Sequence, residues 1–167
     1  MFDRILVPHD GSPEADAGVR WALRLPANVV RLLRVEPDLG PAIGELSGLS
    51  PDESLADDRA EARAELEAAA KPLLEADRRV ETVVSVGNDP AAAILADAAT
   101  APADLIAMAT HGRSAVGRML FGSVADRVAH HASTPILLVR SGNRSEAVAR
   151  SVVPLDGSSL AEAALPA

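Results

Sequence analysis

The chain has 167 residues, a length that predicts one domain with room for at most a small second one. Its formal net charge of -8 argues against binding to the phosphate backbone of nucleic acids, and its aromatic content of 2% argues against a surface on which bases stack. The sequence contains no cysteine, which excludes disulfide bonds, thiolate chemistry and cysteine-ligated metal sites.

Five short apolar segments predict β-strands along the chain. They span residues 4–9, 29–35, 80–86, 104–110 and 135–139. Their apolar residues follow one another almost without interruption, a pattern typical of strands in a sheet that helices cover on both faces.

Helical patterns separate the predicted strands, and three of them begin in the same way. Ser12-Pro13, Ser50-Pro51 and Asp89-Pro90 each place a capping side chain before a proline at the first helical position. The alternation of strand and helix predicts a parallel sheet with right-handed crossovers, and therefore a three-layer, doubly wound α/β fold. Ligands of such sheets bind at the carboxyl ends of the strands, where the strand order reverses.

A glycine-rich segment follows the fourth predicted strand, at the end of the sheet where a ligand is expected. Nine residues separate Gly112 from Gly122-Ser123, which opens the last predicted helix. Gly112 and Gly117 have Walker A spacing, but Arg118-Met119 stand where that motif needs Lys and Ser or Thr. The free N–H groups at a helix start favour an anion, whereas the same pattern also fits a capped helix after a long turn. The spacing alone leaves both interpretations open.

Residues 1–140 resemble the universal stress protein (UspA) family. The resemblance rests on the opening "VPHDGS", on the order of the elements, and on the frame Ala109-Thr110-His111-Gly112, nine residues, Gly122-Ser123. Nucleotide-binding members of the family carry glycine at the position of Ala109, so this chain departs from their pattern there. The resemblance implies a Rossmann-like, adenine nucleotide alpha hydrolase-like sheet of five parallel strands in the order 3-2-1-4-5.

The ligand that the resemblance implies is ATP, bound across the first and fourth strands, with Mg²⁺ bridging its phosphate oxygens. The resemblance assigns the adenosine side to Pro8, His9, Asp10 and, through its backbone, Val35. It assigns the ribose and the phosphates to Met108, Ala109, Gly112 and Arg113. It assigns the phosphates also to Gly122, Ser123 and Val124 at the start of the helix.

The sequence has no Ser, His and Asp at a spacing that indicates a catalytic triad, and no second carboxylate at the predicted strand ends that would pair with Asp10. The first hypothesis is therefore an ATP-binding stress-response protein in which the nucleotide is a regulatory or structural ligand and is hydrolysed slowly at most. A second hypothesis is a dimeric signalling module that binds no nucleotide. A third is a nucleotide-dependent enzyme whose chemistry lies in a second repeat.

The expected partners are an adenine nucleotide and a second copy of the chain, joined through the last strand at residues 135–140. No binding to nucleic acid is expected, because the net charge is negative. No membrane span is expected either, since no apolar stretch approaches the ~20 residues that a span needs. The N-terminus lacks the pattern of a signal peptide, so a cytoplasmic location is expected. The frame "VVPLDGSS" repeats the opening, which predicts a domain at 1–140, a linker at 141–150 and the truncated start of a second domain at 151–167.

Overall fold

Strands and helices alternate along the chain in a computed structural model that describes residues 1–38, 51–110 and 122–140, with the single positions 152 and 158. The strands are β1 (Phe2–Pro8), β2 (Ala27–Glu36), β3 (Arg79–Val86), β4 (Leu105–Ala109) and β5 (Ile136–Val139). The helices are α1 (Asp16–Arg24), α2 (Pro51–Glu75), α3 (Pro90–Thr100) and α4 (Ser123–His131). All five predicted strands are present, with ends that differ from the prediction by two residues at most.

The five strands form one parallel sheet in the order β3-β2-β1-β4-β5, which confirms the predicted doubly wound α/β fold. β1 lies at the centre of the sheet and pairs with β2 on one side and with β4 on the other. The strand order therefore reverses between β1 and β4. In sheets of this kind that position is where a crevice opens for a ligand.

Helices cover both faces of the sheet, because neighbouring side chains of a strand point to opposite faces. Ile5 and Val7 of β1 are fully buried in a core that includes residues of α1 and α2. Leu6, between them, is fully buried in a second core that includes residues of α3 and α4. This two-sided burial explains why the strands are apolar at almost every position.

The helix starts agree with the sequence prediction at one position and differ from it at another. Asp89 caps α3 as predicted, since its carboxylate accepts a hydrogen bond from the N–H of Ala92 at 3.1 Å. The first helix does not begin after Ser12, because residues 13–15 form a turn and α1 starts at Asp16. The Ser12 hydroxyl instead stabilises that turn by accepting the N–H of Ala15 at 3.2 Å.

Several predicted features lie outside the described residues. They include the cap at Ser50, most of the glycine-rich segment, the predicted linker and almost all of the predicted second repeat. The division of the chain at residues 140 and 150 therefore stays a prediction. Of the helices in the described part, none combines the length and the apolar character that crossing a membrane requires.

Candidate functional site

A cavity of about 310 Å³ opens at the carboxyl ends of β1, β2 and β4. It includes the point where the strand order reverses and lies on the side of the sheet that α3 and α4 cover. Three parts of the chain border it: the turn after β1, the end of β2 and the start of α4. The sheet topology therefore creates this crevice where the sequence analysis expected a ligand.

Nine of the predicted site residues line the cavity. They are Pro8, His9, Asp10, Val35, Met108, Ala109, Gly122, Ser123 and Val124. The two others, Gly112 and Arg113, lie outside the described residues. Segments far apart in the sequence thus meet at one cavity, because the ends of the parallel strands lie at the same edge of the sheet.

The turn that follows β1 presents Asp10 to the cavity. One carboxylate oxygen of Asp10, Oδ1, accepts the backbone N–H of Ser12 at 3.0 Å and the Ser12 hydroxyl at 2.5 Å. Gly11 has a φ of 79°, a left-handed conformation that glycine adopts without the steric cost a side chain would add. The D-G-S sequence therefore specifies a tight turn and fixes the aspartate side chain within it.

The start of α4 forms the opposite border of the cavity. The first hydrogen bond of this helix runs from the N–H of Asp126 to the carbonyl of Gly122 at 2.9 Å. The N–H groups of Ser123, Val124 and Ala125 precede that bond, and all three residues line the cavity. Since none of the described side chains caps this helix start, its N–H groups and dipole form a region suited to an anion.

Gly122 joins this helix start to β4. Its N–H donates to the carbonyl of Thr110 at 2.6 Å, and the N–H of Thr110 donates to Val139 in β5 at 2.9 Å. The φ and ψ of Gly122 are -69° and 154°, an extended conformation open to any residue. A glycine at this position is therefore not required by the backbone conformation.

Ala109, the departure from the family's glycine pattern, is the last residue of β4. It is buried, pairs with Val139 of β5 and packs in a small core with Ala17. The extended backbone of a strand accommodates alanine readily, so the fold itself has no need of glycine there. Trp21, the single tryptophan of the chain, packs against the same core.

The remaining wall of the cavity is largely apolar. Leu33 and Val35 of β2, Ile94 of α3 and Met108 of β4 line it together with Pro90. Apolar walls with a few polar groups are the usual composition of a small-molecule binding site.

Charged side chains at the end of β2 are paired with one another. The buried guanidinium of Arg34 hydrogen-bonds the carboxylates of Glu36 and Glu65. Burial opposes the charge of Arg34, but the hydrogen bonds to Glu65 and Glu36 outweigh it and raise the pKa of Arg34. Both Arg34 and Glu36 line the cavity, so a positive and a negative group compensate each other at this border.

A second ion pair joins α3 to α4 beside the cavity. Arg127 donates two hydrogen bonds to the Asp89 carboxylate, at 2.9 and 2.8 Å. The hydrogen bonds from Arg127 lower the pKa of Asp89, and the bond from the N–H of Ala92 adds to the effect. Asp89 directly precedes Pro90, which lines the cavity, so the pair links the second turn of α4 to the start of α3 at its border.

Comparison with known proteins identifies the family. The model of the Universal stress protein family matches residues 1–140. The chain belongs to this family. A universal stress protein of Thermus aquaticus, named for its position in the QAH/OAS sulfhydrylase 3'region, is 35% identical over 144 residues, which cover 84% of this chain and 100% of the relative.

Solved structures show the same fold. The hypothetical protein MJ0577 superposes with a TM-score of 0.74 at 27% identity, covering 86% of this chain and 99% of that one. A universal stress protein in complex with cAMP superposes with a TM-score of 0.61 at 23% identity, covering 84% of this chain and 98% of that one. A family member from Arabidopsis thaliana with AMP bound superposes with a TM-score of 0.57 at 16% identity, covering 84% of this chain and 93% of that one.

Several residues of this universal stress protein cavity were not among the predicted site residues. They are Ala15, Leu33, Arg34, Glu36, Pro37, Pro90, Ile94, Thr110 and Ala125. Glu36 and Thr110 stand at the carboxyl ends of predicted strands, where the sequence analysis expected a ligand, although neither was assigned a contact. Leu33 and Ile94 carry no signal in the sequence, because an apolar residue that lines a cavity resembles one that fills a core.

Proposed function

We propose that this universal stress protein binds ATP in the cavity between β1 and β4, as a regulatory or structural ligand. The observation that carries the proposal is the arrangement of the cavity, an apolar slot that adjoins a helix start capped by none of the described side chains. The apolar slot suits an adenine ring, and the helix start suits a phosphate group. The family members solved with AMP and with cAMP support an adenine nucleotide as the class of ligand.

In the proposed complex the adenine lies in the apolar slot, beside Val35, Ile94 and Met108. The phosphates lie at the start of α4, where the backbone N–H groups of Ser123 and Val124 and the serine hydroxyl donate hydrogen bonds. Asp10, held in its turn by Ser12, lies toward the ribose or the phosphates. Gly112 and Arg113 belong to the proposed set through the family resemblance alone.

Mg²⁺ would be held mainly by the nucleotide. Among the described residues no group of three or more His, Cys, Asp or Glu side chains could bind a metal by itself. The cavity does contain the carboxylate of Asp10, and Mg²⁺ commonly binds through one or two carboxylates, phosphate oxygens and water. The residues present therefore fit an ion that arrives with ATP, and the ion would neutralise phosphate charge.

The proposed site hydrolyses ATP slowly at most. Fast phosphoryl transfer to water needs a group that orients the water and a group that stabilises the transition-state charge. The described carboxylates of the cavity, Asp10 and Glu36, are engaged with Ser12 and with Arg34. Among the described residues no further carboxylate lines the cavity, which favours a binding role over an enzymatic one.

The test is the nucleotide content of the full chain after purification. Heat-denatured protein should release an adenine nucleotide, which chromatography identifies, and the emptied protein should bind ATP again when it is refolded and dialysed against ATP with Mg²⁺. A protein that carries no nucleotide and binds none on addition would contradict the proposal and would favour the second hypothesis, a dimeric module without a nucleotide.

We also propose that two copies associate through residues 135–140. β5 is the last strand of the described sheet, so its outer edge offers backbone groups for pairing with another strand. Light scattering on the full chain should give twice the mass of one chain. The mass of a single chain at high protein concentration would contradict this part of the proposal.

A further inference from the structure

His9 is a buried polar residue at the end of β1, and both nitrogens of its ring have partners within the protein. Its side chain is 4% exposed. The Nδ1 atom lies 3.1 Å from the backbone nitrogen of Gly11, and the Nε2 atom lies 3.1 Å from Oδ1 of Asp16. A backbone N–H can only donate, so Nδ1 accepts, and the ring proton of a neutral imidazole is then on Nε2, which donates to Asp16.

Three separate elements meet at this residue. The backbone N–H of His9 donates to the carbonyl of Leu33 in β2 at 2.8 Å, which attaches it to the sheet. Its Nδ1 holds the N–H of Gly11 in the turn, and its Nε2 reaches Asp16 in the first turn of α1. His9 therefore links the sheet, the turn and the helix that follows.

Asp10 lies between the points that His9 fixes. The residue before Asp10 is His9, whose backbone N–H is bonded to Leu33 of β2. The residue after Asp10 is Gly11, whose N–H donates to the imidazole of His9. Its carboxylate is held from the other direction by Ser12. The left-handed conformation of Gly11 gives the turn its tightness, and the imidazole holds that conformation in place.

We infer that His9 is a positioning residue that orients Asp10 for the nucleotide, and that its imidazole does not itself bind the ligand. The inference rests on the proposed function and offers a different role for His9 from the adenosine contact that the family resemblance assigns to it. Nδ1 is engaged by the turn and Nε2 by Asp16 of α1, so neither nitrogen is available to a nucleotide or a metal while these contacts persist. His9 is part of the cavity wall, and its ring holds Gly11, the residue that follows Asp10.

Two substitutions separate the two ring contacts. In His9→Asn the side-chain oxygen can occupy the place of Nδ1 and accept the N–H of Gly11, as asparagine does in turns. In His9→Gln the longer amide can reach Asp16, but no acceptor remains next to Gly11. Calorimetric titration with AMP and with ATP should show affinity within about threefold of wild type for Asn and a loss of about tenfold for Gln, since one hydrogen bond is at stake.

A double-mutant cycle tests whether His9 acts through Asp10. In an Asp10→Ala background, His9→Gln should cause no further loss of affinity, because the side chain that it positions is gone. The same tenfold loss in both backgrounds would indicate a general structural effect and would overturn the inference. Equal affinity of wild type and His9→Gln would overturn it as well, while leaving the proposed function intact.

The state of the ring gives a readout that needs no ligand. Nitrogen-15 NMR should show that the neutral imidazole of His9 carries its proton on Nε2, and the Gly11 amide should exchange faster in His9→Gln than in His9→Asn. A proton on Nδ1, or equal exchange in the two variants, would overturn the inference. A wild-type chain that binds neither AMP nor ATP would overturn the proposed function and the inference together.

Discussion

Gly18 of α1 lies against Ala107 of β4 without room for a side chain. A Cβ atom built on Gly18 would stand 2.9 Å from the carbonyl oxygen of Ala107 and 3.0 Å from Cγ1 of Val7. Because one neighbour is backbone, the contact cannot be relieved by a change of rotamer. This close approach holds α1 against β1 and β4, and so places the turn that precedes α1 beside the cavity.

Gly18→Ala should therefore destabilise the fold although alanine favours helices. Overpacking of this kind costs about 1–3 kcal/mol, which should outweigh the gain in helix propensity of about 1 kcal/mol. Urea unfolding measures the free energy directly. Gly87→Ala is the matched control, because a Cβ atom there would meet nothing within 4 Å, and it should change stability little. Equal stability of the two variants would contradict the account of α1 packing.

Gly122→Val should weaken nucleotide binding while the domain stays folded. The backbone of Gly122 is extended and suits any residue, so the cost to the fold is about 1 kcal/mol, from a poorer helix cap. The added side chain would occupy the space at the start of α4 where a phosphate is proposed. ATP affinity should fall by more than tenfold in calorimetric titration. Ala96→Val, exposed on α3, is the control and should bind as wild type does.

Ala109→Gly should separate binding from stability. Glycine inside a strand costs roughly 0.5–1 kcal/mol relative to alanine, so the melting temperature should fall slightly. ATP affinity should stay equal or become tighter, because the substitution removes a methyl group from a residue that lines the cavity. Weaker ATP binding by the glycine variant would show that Ala109 does not lie beside the ligand.

The ion pair between Asp89 and Arg127 should contribute to stability in a pH-dependent way. Hydrogen bonds from Arg127 lower the pKa of Asp89 below its usual value of about 3.9. A carboxyl group with a lowered pKa in the folded state stabilises the fold above the usual value, and this contribution is lost as the pH falls through the lowered one. Asp89→Asn keeps a capping side chain but removes the charge.

The free energy of unfolding should thus differ more between wild type and Asp89→Asn at pH 6 than at pH 2.5. Urea unfolding at both pH values gives the comparison. The control is Asp58→Asn on the exposed part of α2, because Asp58 has no ion pair among the described contacts whereas Asp89 pairs with Arg127. A difference between wild type and Asp89→Asn that does not change with pH would contradict the assigned role of Arg127.

The fold was accessible to sequence reasoning because its signals are local. Continuous apolar strands and the cap at Asp89 depend on residues close together in the chain, and both appear as predicted. The start of α1 was wrong by several residues, since the Ser12 side chain stabilises a turn where a helix was expected. Nothing in the sequence marks Gly18 as a contact, because its neighbour Ala107 is 89 positions away and only the packed sheet brings the two together.

The candidate site was predictable to the extent that it follows strand ends. His9, Asp10 and Val35 stand at such ends, so the topology rule and the family frame both pointed to them. The ring contacts of His9 could not be predicted, because the sequence does not show which way an imidazole turns. Ion pairs such as Arg127 with Asp89 join helices that are separate in the chain, and their geometry exists only after folding.

The most direct test of nucleotide binding in this cavity is the shift in melting temperature that ATP with Mg²⁺ causes in the full chain and in Gly122→Val. ATP at about 100 times its dissociation constant stabilises a folded protein by about 2.7 kcal/mol. For a domain of this size that corresponds to a rise of about 5–10 °C for wild type. We predict that rise for wild type and, at the same ATP concentration, about half of it or less for Gly122→Val, whose affinity is at least tenfold weaker. No rise for wild type at millimolar ATP, or the same rise for both proteins, would contradict it.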